Sequence, residues 1–157
     1  MLKSFDAVII GAPMILGGHR NAVRFVKKHQ KMLSRLPVAY FATAMSLTQP
    51  EPGTEQPTQL YLDPTLSTPP KNPQRLSLKE RYASVSNYLR PMLGAAAPVK
   101  PVNVAFFGGK LEIFRLKWWQ ALFVIIFVQA QPGDSRNWSS IEEWGKQLDT
   151  LFAGKIT

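Results

Sequence analysis

The sequence predicts an α/β protein with a parallel sheet, and three observations support this prediction. Short apolar runs rich in β-branched residues stand at 6–11, 38–45 and 102–107, and each is typical of a strand buried on both faces. Segments with helical spacing follow these runs, so strands and helices alternate along the chain. Two of the runs lead into loops that contain paired glycines, and in open α/β sheets ligands bind beyond the carboxyl ends of the strands.

Length and composition restrict the class of protein and the kind of site. The 157 residues, with 45% hydrophobic content, suit one domain, which we assign to residues 1–157. The chain has no cysteine and only two histidines, His19 and His29, so we expect neither disulfides nor a metal site. The net charge of +9 favours nucleic acid, an anionic membrane or an acidic partner without choosing among them. The N-terminus lacks the layout of a secretion signal, so we expect a cytoplasmic location.

The first unit is predicted as strand, loop and helix. The strand covers residues 6–11, and one proline with two glycines prevents residues 12–18 from continuing as strand or helix. The helix is predicted over residues 19–35, because apolar side chains and His29 recur at helical spacing along one side. The other side carries the basic residues Arg20, Arg24, Lys27, Lys28, Lys31 and Arg35. This side is typical of a solvated helix surface, and docking to a membrane or an acidic partner is the alternative.

A second strand is predicted at 38–45, after Pro37 ends the helix. A strand, helix and strand in succession predict a right-handed crossover and parallel pairing. The composition then changes, because about 48–75 contains 7 of the 13 prolines of the chain. We therefore predict that this segment leaves the compact domain as an insertion or a mobile loop. A proline-rich motif that binds a partner is the alternative.

Three further elements complete the predicted domain. A second helix is expected over 77–93, with Gly94 at its end, and a third strand follows at 102–107. The last helix is predicted to start at a capping box formed by Ser140 and Glu143. Its apolar stripe contains Ile141, Trp144, Leu148, Leu151 and Phe152. This stripe is expected to cover the sheet.

The most apolar stretch of the chain, residues 114–128, admits two interpretations. Its uncharged part, 118–128, is well short of the roughly 20 residues that are needed to cross a bilayer. A buried helix and a helix at the membrane interface are both consistent with it. Trp118 and Trp119 stand at its boundary next to basic residues, as they do in segments that lie on a membrane surface.

Two separated motifs give the chain a resemblance to a known family. The motifs are DAVIIGAP at 6–13 with His19 and FVKK at 25–28, and PGDSRNW at 132–138 with Ile141 and Trp144. In this order they are similar to the flavodoxin-like domain family that includes menaquinone-dependent protoporphyrinogen dehydrogenase. The resemblance implies a flavodoxin-like three-layer α/β/α fold with a parallel sheet, N-terminally truncated, and it leaves out the proline-rich middle.

The resemblance also implies an FMN cofactor at the carboxyl edge of the sheet, enclosed by two loops. By position, the first loop contributes Pro13, Met14, Ile15, Leu16, Gly17 and Gly18. The second loop contributes Gly108, Gly109, Lys110, Leu111 and Glu112. Backbone amides freed by glycine would approach the pyrimidine edge of the flavin, and apolar neighbours would desolvate its ring. No catalytic side chain is implied.

Two departures from the family pattern affect the cofactor. Family members begin with an earlier strand, a phosphate-binding loop, a helix and a second strand, and nothing in this sequence corresponds to them. A start codon assigned too late, a fragment completed elsewhere and a lineage that has lost flavin are three explanations that the sequence leaves open. In addition, Leu16 stands where an aromatic residue near the ring is expected, so weaker stacking is predicted there.

The leading functional hypothesis is an FMN-dependent oxidoreductase that transfers electrons from a reduced substrate to a membrane quinone. The resemblance implies protoporphyrinogen, a porphyrin-type intermediate of heme biosynthesis, as the substrate. The net charge of +9 and the apolar stretch suggest an anionic membrane surface, at the inner face, as a partner. The second hypothesis is a cofactor-free interaction module on the same scaffold. Specific binding of nucleic acid is not expected, because the sequence contains no recognised reading motif.

Overall fold

The described residues contain both helices and strands along the length of the chain. The computed structural model describes residues 5–14, 20–50, 58–95, 97–112, 114, 117–123, 126 and 133–156. In chain order the elements are β1 (Val8–Pro13), α1 (Arg20–Leu33), β2 (Val38–Ala44), β3 (Leu47–Thr48), β4 (Gln59–Leu62), β5 (Ser67–Thr68), α2 (Leu78–Tyr82), α3 (Val85–Ala95), β6 (Asn103–Gly108), β7 (Lys110–Leu111), α4 (Trp118–Phe123), β8 (Gly133–Asp134) and α5 (Trp138–Ile156). The three predicted strands are confirmed as β1, β2 and β6.

Four parallel strands form the central sheet, in the order β1, β2, β6 and β4. The register places Val8 opposite Val38, and it places Phe41 of β2 opposite Ala105 of β6. The parallel pairing predicted for the first strand, helix and strand is therefore confirmed. Two small pairs lie outside this sheet, with β3 parallel to β5 and β7 antiparallel to β8.

Helices cover both faces of the sheet, so the domain has three layers. The core beneath α1 and α3 includes Val26, Leu33, Tyr40, Leu89 and Phe106. The core beneath α5 includes Ala39, Ala105, Phe107, Trp144 and Leu148. Successive strand residues point to opposite faces, so the central strands contribute to both cores. The predicted α/β class and the packing stripe of the last helix are confirmed.

The prediction that 48–75 leaves the compact domain as an insertion or a mobile loop is wrong for residues 58–68. β4 extends the central sheet beside β6, and β3 pairs with β5. The four residues of β4 lie between Pro57 and Pro64 and contain no proline, so each has an amide that can join a sheet. Residues 51–57 lie outside the described residues, and a mobile loop there stays a prediction.

The predicted helix over 77–93 is divided into α2 and α3. The division lies where the backbone N–H of Thr48 donates to the carbonyl of Ala83 at 2.9 Å. The N–H of Asn87 donates instead to Oγ of Ser84 at 3.3 Å. A contact with a strand that is distant in sequence therefore interrupts a segment whose local pattern is helical throughout.

The predicted capping box of Ser140 and Glu143 is also wrong. α5 begins earlier, at Trp138, and Asn137 caps it because its Oδ1 accepts the N–H of Ser140 at 3.3 Å. Glu143 instead accepts a hydrogen bond from the hydroxyl of Tyr61 at 2.9 Å. Its carboxylate therefore connects α5 to β4, which contains Tyr61.

The described side chains of the apolar stretch 114–128 are exposed apart from Ala121, which is half-buried, so burial is the wrong interpretation for this part. Trp118 is 79% exposed and Trp119 is 47% exposed, and Leu122 is exposed as well. The interfacial interpretation stays a prediction. Within the part of the chain that the structure describes, no helix is both long and apolar enough to cross a membrane.

Candidate functional site

The two predicted cofactor loops leave the carboxyl edge of the sheet from neighbouring points. β2 lies between β1 and β6, and the end of β2 binds the backbone of both loops. The N–H of Met14 donates to the carbonyl of Thr43 at 2.7 Å, and the N–H of Gly109 donates to the carbonyl of Ala44 at 3.1 Å. Because Thr43 and Ala44 are consecutive, the loops begin side by side.

The first loop is described only at its start. Pro13 is exposed at the end of β1, and Met14 is half-buried against the core beneath α1 and α3. The remaining predicted residues of this loop, Ile15, Leu16, Gly17 and Gly18, lie outside the described residues. Their part in a cofactor site stays a prediction.

The second loop is the start of a small antiparallel strand pair rather than an open loop. Gly108 and Gly109 are buried, and the next two residues, Lys110–Leu111, form β7. β7 pairs antiparallel with Gly133–Asp134 of β8. Leu111 and Glu112 are half-buried, and Glu112 forms an ion pair with Lys110. The segment before α5 therefore holds this loop against the sheet.

The space for a side chain differs between Gly108 and Gly109. A Cβ at Gly108 would lie 1.9 Å from the carbonyl oxygen of Ser135, which belongs to the backbone and cannot rotate away. A Cβ at Gly109 would meet Cβ of Thr43 at 3.5 Å, which is an ordinary contact. Packing of the chain against itself therefore accounts for the glycine at 108. The amides of both glycines already donate within the protein.

A buried carboxylate that the sequence analysis did not identify lies beside the second loop. Asp63 follows β4 and is fully buried. Its Oδ2 accepts the N–H of Gly108 at 3.4 Å, and its Oδ1 accepts Nδ2 of Asn137 at 3.2 Å. The N–H and Oγ1 of Thr65 also donate to Oδ1, at 3.0 Å and 2.9 Å. These four donors compensate for the burial of the carboxylate. The run Asp-Pro-Thr is a turn signal that could have located the residue, but not its distant partners.

The segment before α5 connects the second loop to the helix. The N–H of Ser135 donates to the carbonyl of Gly109 at 3.1 Å. Nε of Arg136 donates to Oδ1 of Asp134 at 2.8 Å, and the guanidinium lies 4.9 Å from the ring centre of Trp138. The hydrogen bond from Arg136 lowers the pKa of Asp134 to about 2. The described part of the PGDSRNW motif therefore has a structural role.

The described side chains near this edge include several apolar ones. Pro13 and Trp138 expose apolar surface, and Met14 and Leu111 are half-buried apolar residues of the two loops. The N-terminus of α5 is capped by Asn137, so a phosphate would compete with this cap. Among the described residues, no group of three His, Asp or Glu side chains could hold a metal ion.

Comparisons with known proteins agree with this architecture. The family model of the flavodoxin domain matches residues 1–137, which include the central sheet, both loops and the segment before α5. Flavodoxin domains typically bind FMN. No curated protein and no solved structure matched the chain. Because the family model covers most of the chain and the parallel sheet carries helices on both faces, the protein belongs to the flavodoxin domain family.

Proposed function

We propose that this protein binds FMN at the carboxyl edge of its sheet and acts as a flavodoxin-type redox protein. The observation that supports the proposal best is that the loops after β1 and β6 start beside consecutive residues of β2, Thr43 and Ala44. A ring that lies across this edge can therefore contact both loops. When bound, FMN supplies the electron and hydride chemistry.

The proposed role of the protein is to bind the ring, orient it and exclude water from it. Met14 and Leu111, which are half-buried, would contribute apolar contacts from the two loops. The backbone beyond Gly109 would contribute the polar contacts, because the amides of Gly108 and Gly109 already have acceptors. The ion pair of Lys110 and Glu112 leaves these two loop side chains with no net charge.

The absorption spectrum of the protein tests this proposal. After incubation with FMN and gel filtration, we expect a retained flavin band. Leu111→Asn should weaken FMN binding about tenfold or more, because it places a polar group against the ring. Leu78→Asn is the matched control, since Leu78 lies on α2 and is 84% exposed. Colourless protein, or equal FMN affinity in both variants, would contradict the site.

We further propose that the electron acceptor is a membrane quinone. The protein would reach it by docking at an anionic membrane surface, at the inner face of the membrane. Three exposed apolar side chains of α4 and the net charge of +9 support this proposal. We expect the protein to sediment with anionic liposomes at low salt, and Trp118→Ser combined with Trp119→Ser to reduce this binding. Trp138→Ser, on α5, is the control. Protein that stays in the supernatant would exclude membrane docking.

Protoporphyrinogen is the proposed reduced substrate, on the basis of the sequence resemblance alone. Each oxidation step would remove two hydrogens from the porphyrinogen and reduce one quinone to a quinol. An anaerobic assay with FMN-loaded protein, protoporphyrinogen and a soluble quinone should give protoporphyrin fluorescence above a control without protein. A protein that retains FMN but gives no increase would keep the redox proposal and exclude this substrate.

A cofactor-free interaction module is the second candidate. It is favoured by the observation that Gly108 is explained by its contact with Ser135, without any ligand. This candidate predicts that FMN does not raise the melting temperature, whereas a ligand that binds the folded state must raise it. It also predicts that changing Gly108 or Gly109 alters stability only. A rise in the melting temperature with increasing FMN would exclude it.

A further inference from the structure

The outward side of α1 carries charge of one sign. α1 contains no acidic residue, and five of its basic side chains are exposed. They form two adjacent rows along the helix with four-residue spacing, which we call the basic rows. One row consists of Arg20, Arg24 and Lys28, and the other consists of Lys27 and Lys31. The opposite side of α1 is buried in the core, so the basic rows face away from the sheet.

The basic rows are unfavourable for α1 on its own. Like charges four residues apart on a helix repel, and this applies to Arg20 with Arg24, to Arg24 with Lys28 and to Lys27 with Lys31. Arg20 also lies at the N-terminus of α1, where the helix dipole disfavours a positive charge. Among the described residues, no carboxylate forms an ion pair with the basic rows. A negatively charged neighbour would therefore remove a repulsion that the chain does not balance itself.

The positive charge of this surface follows a line more than it fills a plane. α3 packs beside α1 on the same side of the sheet. The exposed side chains of α3 are Ser86, Asn87 and Arg90, so α3 contributes one charge. α2 carries both signs, because Glu80 stands between Lys79 and Arg81. A flat bilayer surface would meet the uncharged side chains of α3 as well, whereas a narrow partner would meet α1 alone.

The spacing of the basic rows fits an acidic helix. Carboxylates at every fourth position of a helix are about 6 Å apart along its axis, as the basic residues of each row are. A straight partner helix can therefore match the rows over their full length of about 16 Å. A nucleic-acid duplex presents its phosphates along a curved backbone, so a straight row would meet only a few of them. Charge and spacing together favour an acidic helix.

We propose that the basic rows of α1 are the docking surface for an acidic helix of a partner protein. Carboxylates of that helix, at four-residue spacing, would pair with the basic rows and remove the repulsion within α1. The proposal goes beyond the FMN site and does not depend on it, because it rests on the charge, spacing and exposure of α1. The same interaction can be measured whether or not the chain holds FMN.

The test uses the full chain and, as probes, two stapled alanine-based helical peptides of equal composition. One peptide has glutamates at every fourth position in two adjacent rows, and the other has the same glutamates spread around the helix. By fluorescence anisotropy at about 0.1 M salt, we expect the peptide with rows to bind about tenfold more tightly or better. Its affinity should fall as the salt concentration rises, because exposed charges are screened.

A charge reversal within the basic rows should have two effects of opposite sign. Lys28→Glu should weaken binding of the peptide with rows about tenfold or more. It should also raise the melting temperature of the free chain by about 2 °C, because repulsion from Arg24 becomes attraction. A residue with a purely structural role would not combine weaker binding with higher stability.

Lys146→Glu is the matched control, because Lys146 is exposed on α5 and its reversal changes the net charge equally. It should weaken peptide binding less than about twofold at the same salt concentration. It should not raise the melting temperature, since it places a third acidic side chain near Glu142 and Glu143.

Four results would overturn the proposal. Equal affinity for the two peptides, or binding of neither, would show that the spacing of the rows selects no helix. Equal weakening by Lys28→Glu and Lys146→Glu would place the contact elsewhere. A lower melting temperature in Lys28→Glu would show that the chain already balances the basic rows. Phosphatidylserine vesicles or duplex DNA that bind through Lys28, with no binding of the peptide with rows, would make a membrane or a nucleic acid the occupant.

Discussion

The two outer strands of the central sheet are bound to the rest of the protein in different ways. β4 has only four residues, and side chains on and beside it reach distant parts of the chain. Thr58 donates to the carbonyl of Pro101 at 2.7 Å, and Tyr61 donates to Glu143 at 2.9 Å. β1 has six residues with no charged side chain, and Ile9 is half exposed. Short or charged edges resist unwanted pairing, and β1 has neither property.

This difference separates two consequences of mutation. Residues on the side of β4 and β6 should affect the stability of the isolated domain, because their contacts lie within the chain. Residues at the outer edge of β1 should affect stability less, because Ile9 is half exposed. The predictions below test this division, beginning with the largest expected effect.

The largest loss of stability is expected for Gly108→Ala. The added Cβ would overlap the carbonyl oxygen of Ser135, so the pair of strands β7 and β8 must move away from the sheet. We expect a loss of about 3 kcal/mol in the free energy of unfolding, measured with urea. Gly109→Ala is the matched control and should cost less than about 1 kcal/mol, since its nearest contact is ordinary. Equal losses would show that the position of Ser135 is not what requires glycine.

The second prediction concerns the carboxylate of Asp63. Asp63→Asn can still accept the donors at Oδ1, but its NH₂ group would face the N–H of Gly108 in place of Oδ2. We expect a loss of about 2 kcal/mol, because a buried donor loses its acceptor. Thr65→Val removes one donor to the same carboxylate near the surface and should cost less than about 1 kcal/mol. The free energy of unfolding of both variants is measured with urea. A larger loss for Thr65→Val than for Asp63→Asn would disprove the role of Asp63.

The third prediction replaces one residue of each outer strand by threonine. Tyr61 and Ile9 both point to the α5 side of the sheet. Tyr61→Thr should cost about 1.5 kcal/mol, because it removes the ring packed 5.9 Å from Phe107 and the bond to Glu143. Ile9→Thr should cost less than about 0.5 kcal/mol in the isolated chain. If calorimetry gave a larger loss for Ile9→Thr, β1 would be covered within the chain and the comparison would fail.

The smallest effect is a pH dependence of the pairing of β7 and β8. The hydrogen bond from Arg136 lowers the pKa of Asp134 from 3.8 to about 2. A lowered pKa in the folded state stabilises the protein above the ordinary pKa, and this contribution is lost as pH falls from 3.8 toward 2. Amide chemical shifts of Lys110 and Gly133 should report this loss, and Arg136→Gln should abolish it.

A second carboxylate, on α2, provides the control for this titration. Glu80 also has a pKa of about 2, because Ser77 donates to it in the capping box of α2. Glu80→Gln should remove an acid-range change in α2 and leave the shifts of Lys110 and Gly133 as they were. If the acid-range change in the shifts of Lys110 and Gly133 disappeared in Glu80→Gln, this would contradict its assignment to Asp134.

Local sequence patterns were sufficient for the elements with long, regular periodicity. The buried strands β1, β2 and β6, the two-sided helix α1 and the stripe of α5 all follow from apolar spacing. β4 was missed because four residues between prolines give too short a pattern, and its strand state depends on pairing with β6. Asp63 was missed because Gly108 and Asn137 are 45 and 74 residues away in sequence.

The sequence by itself determined the α/β class, the parallel direction of the first two strands and the strands after which the two predicted loops begin. Only the tertiary structure decided the order of the sheet, the internal contact that requires Gly108 and the exposure of β1. The physical reason is that helix and strand periodicity depends on neighbours in sequence, whereas burial, steric overlap and hydrogen-bond partners depend on residues brought together by folding. For that reason Ile9 and Ile10 look alike in the sequence, yet one is half exposed and the other is buried.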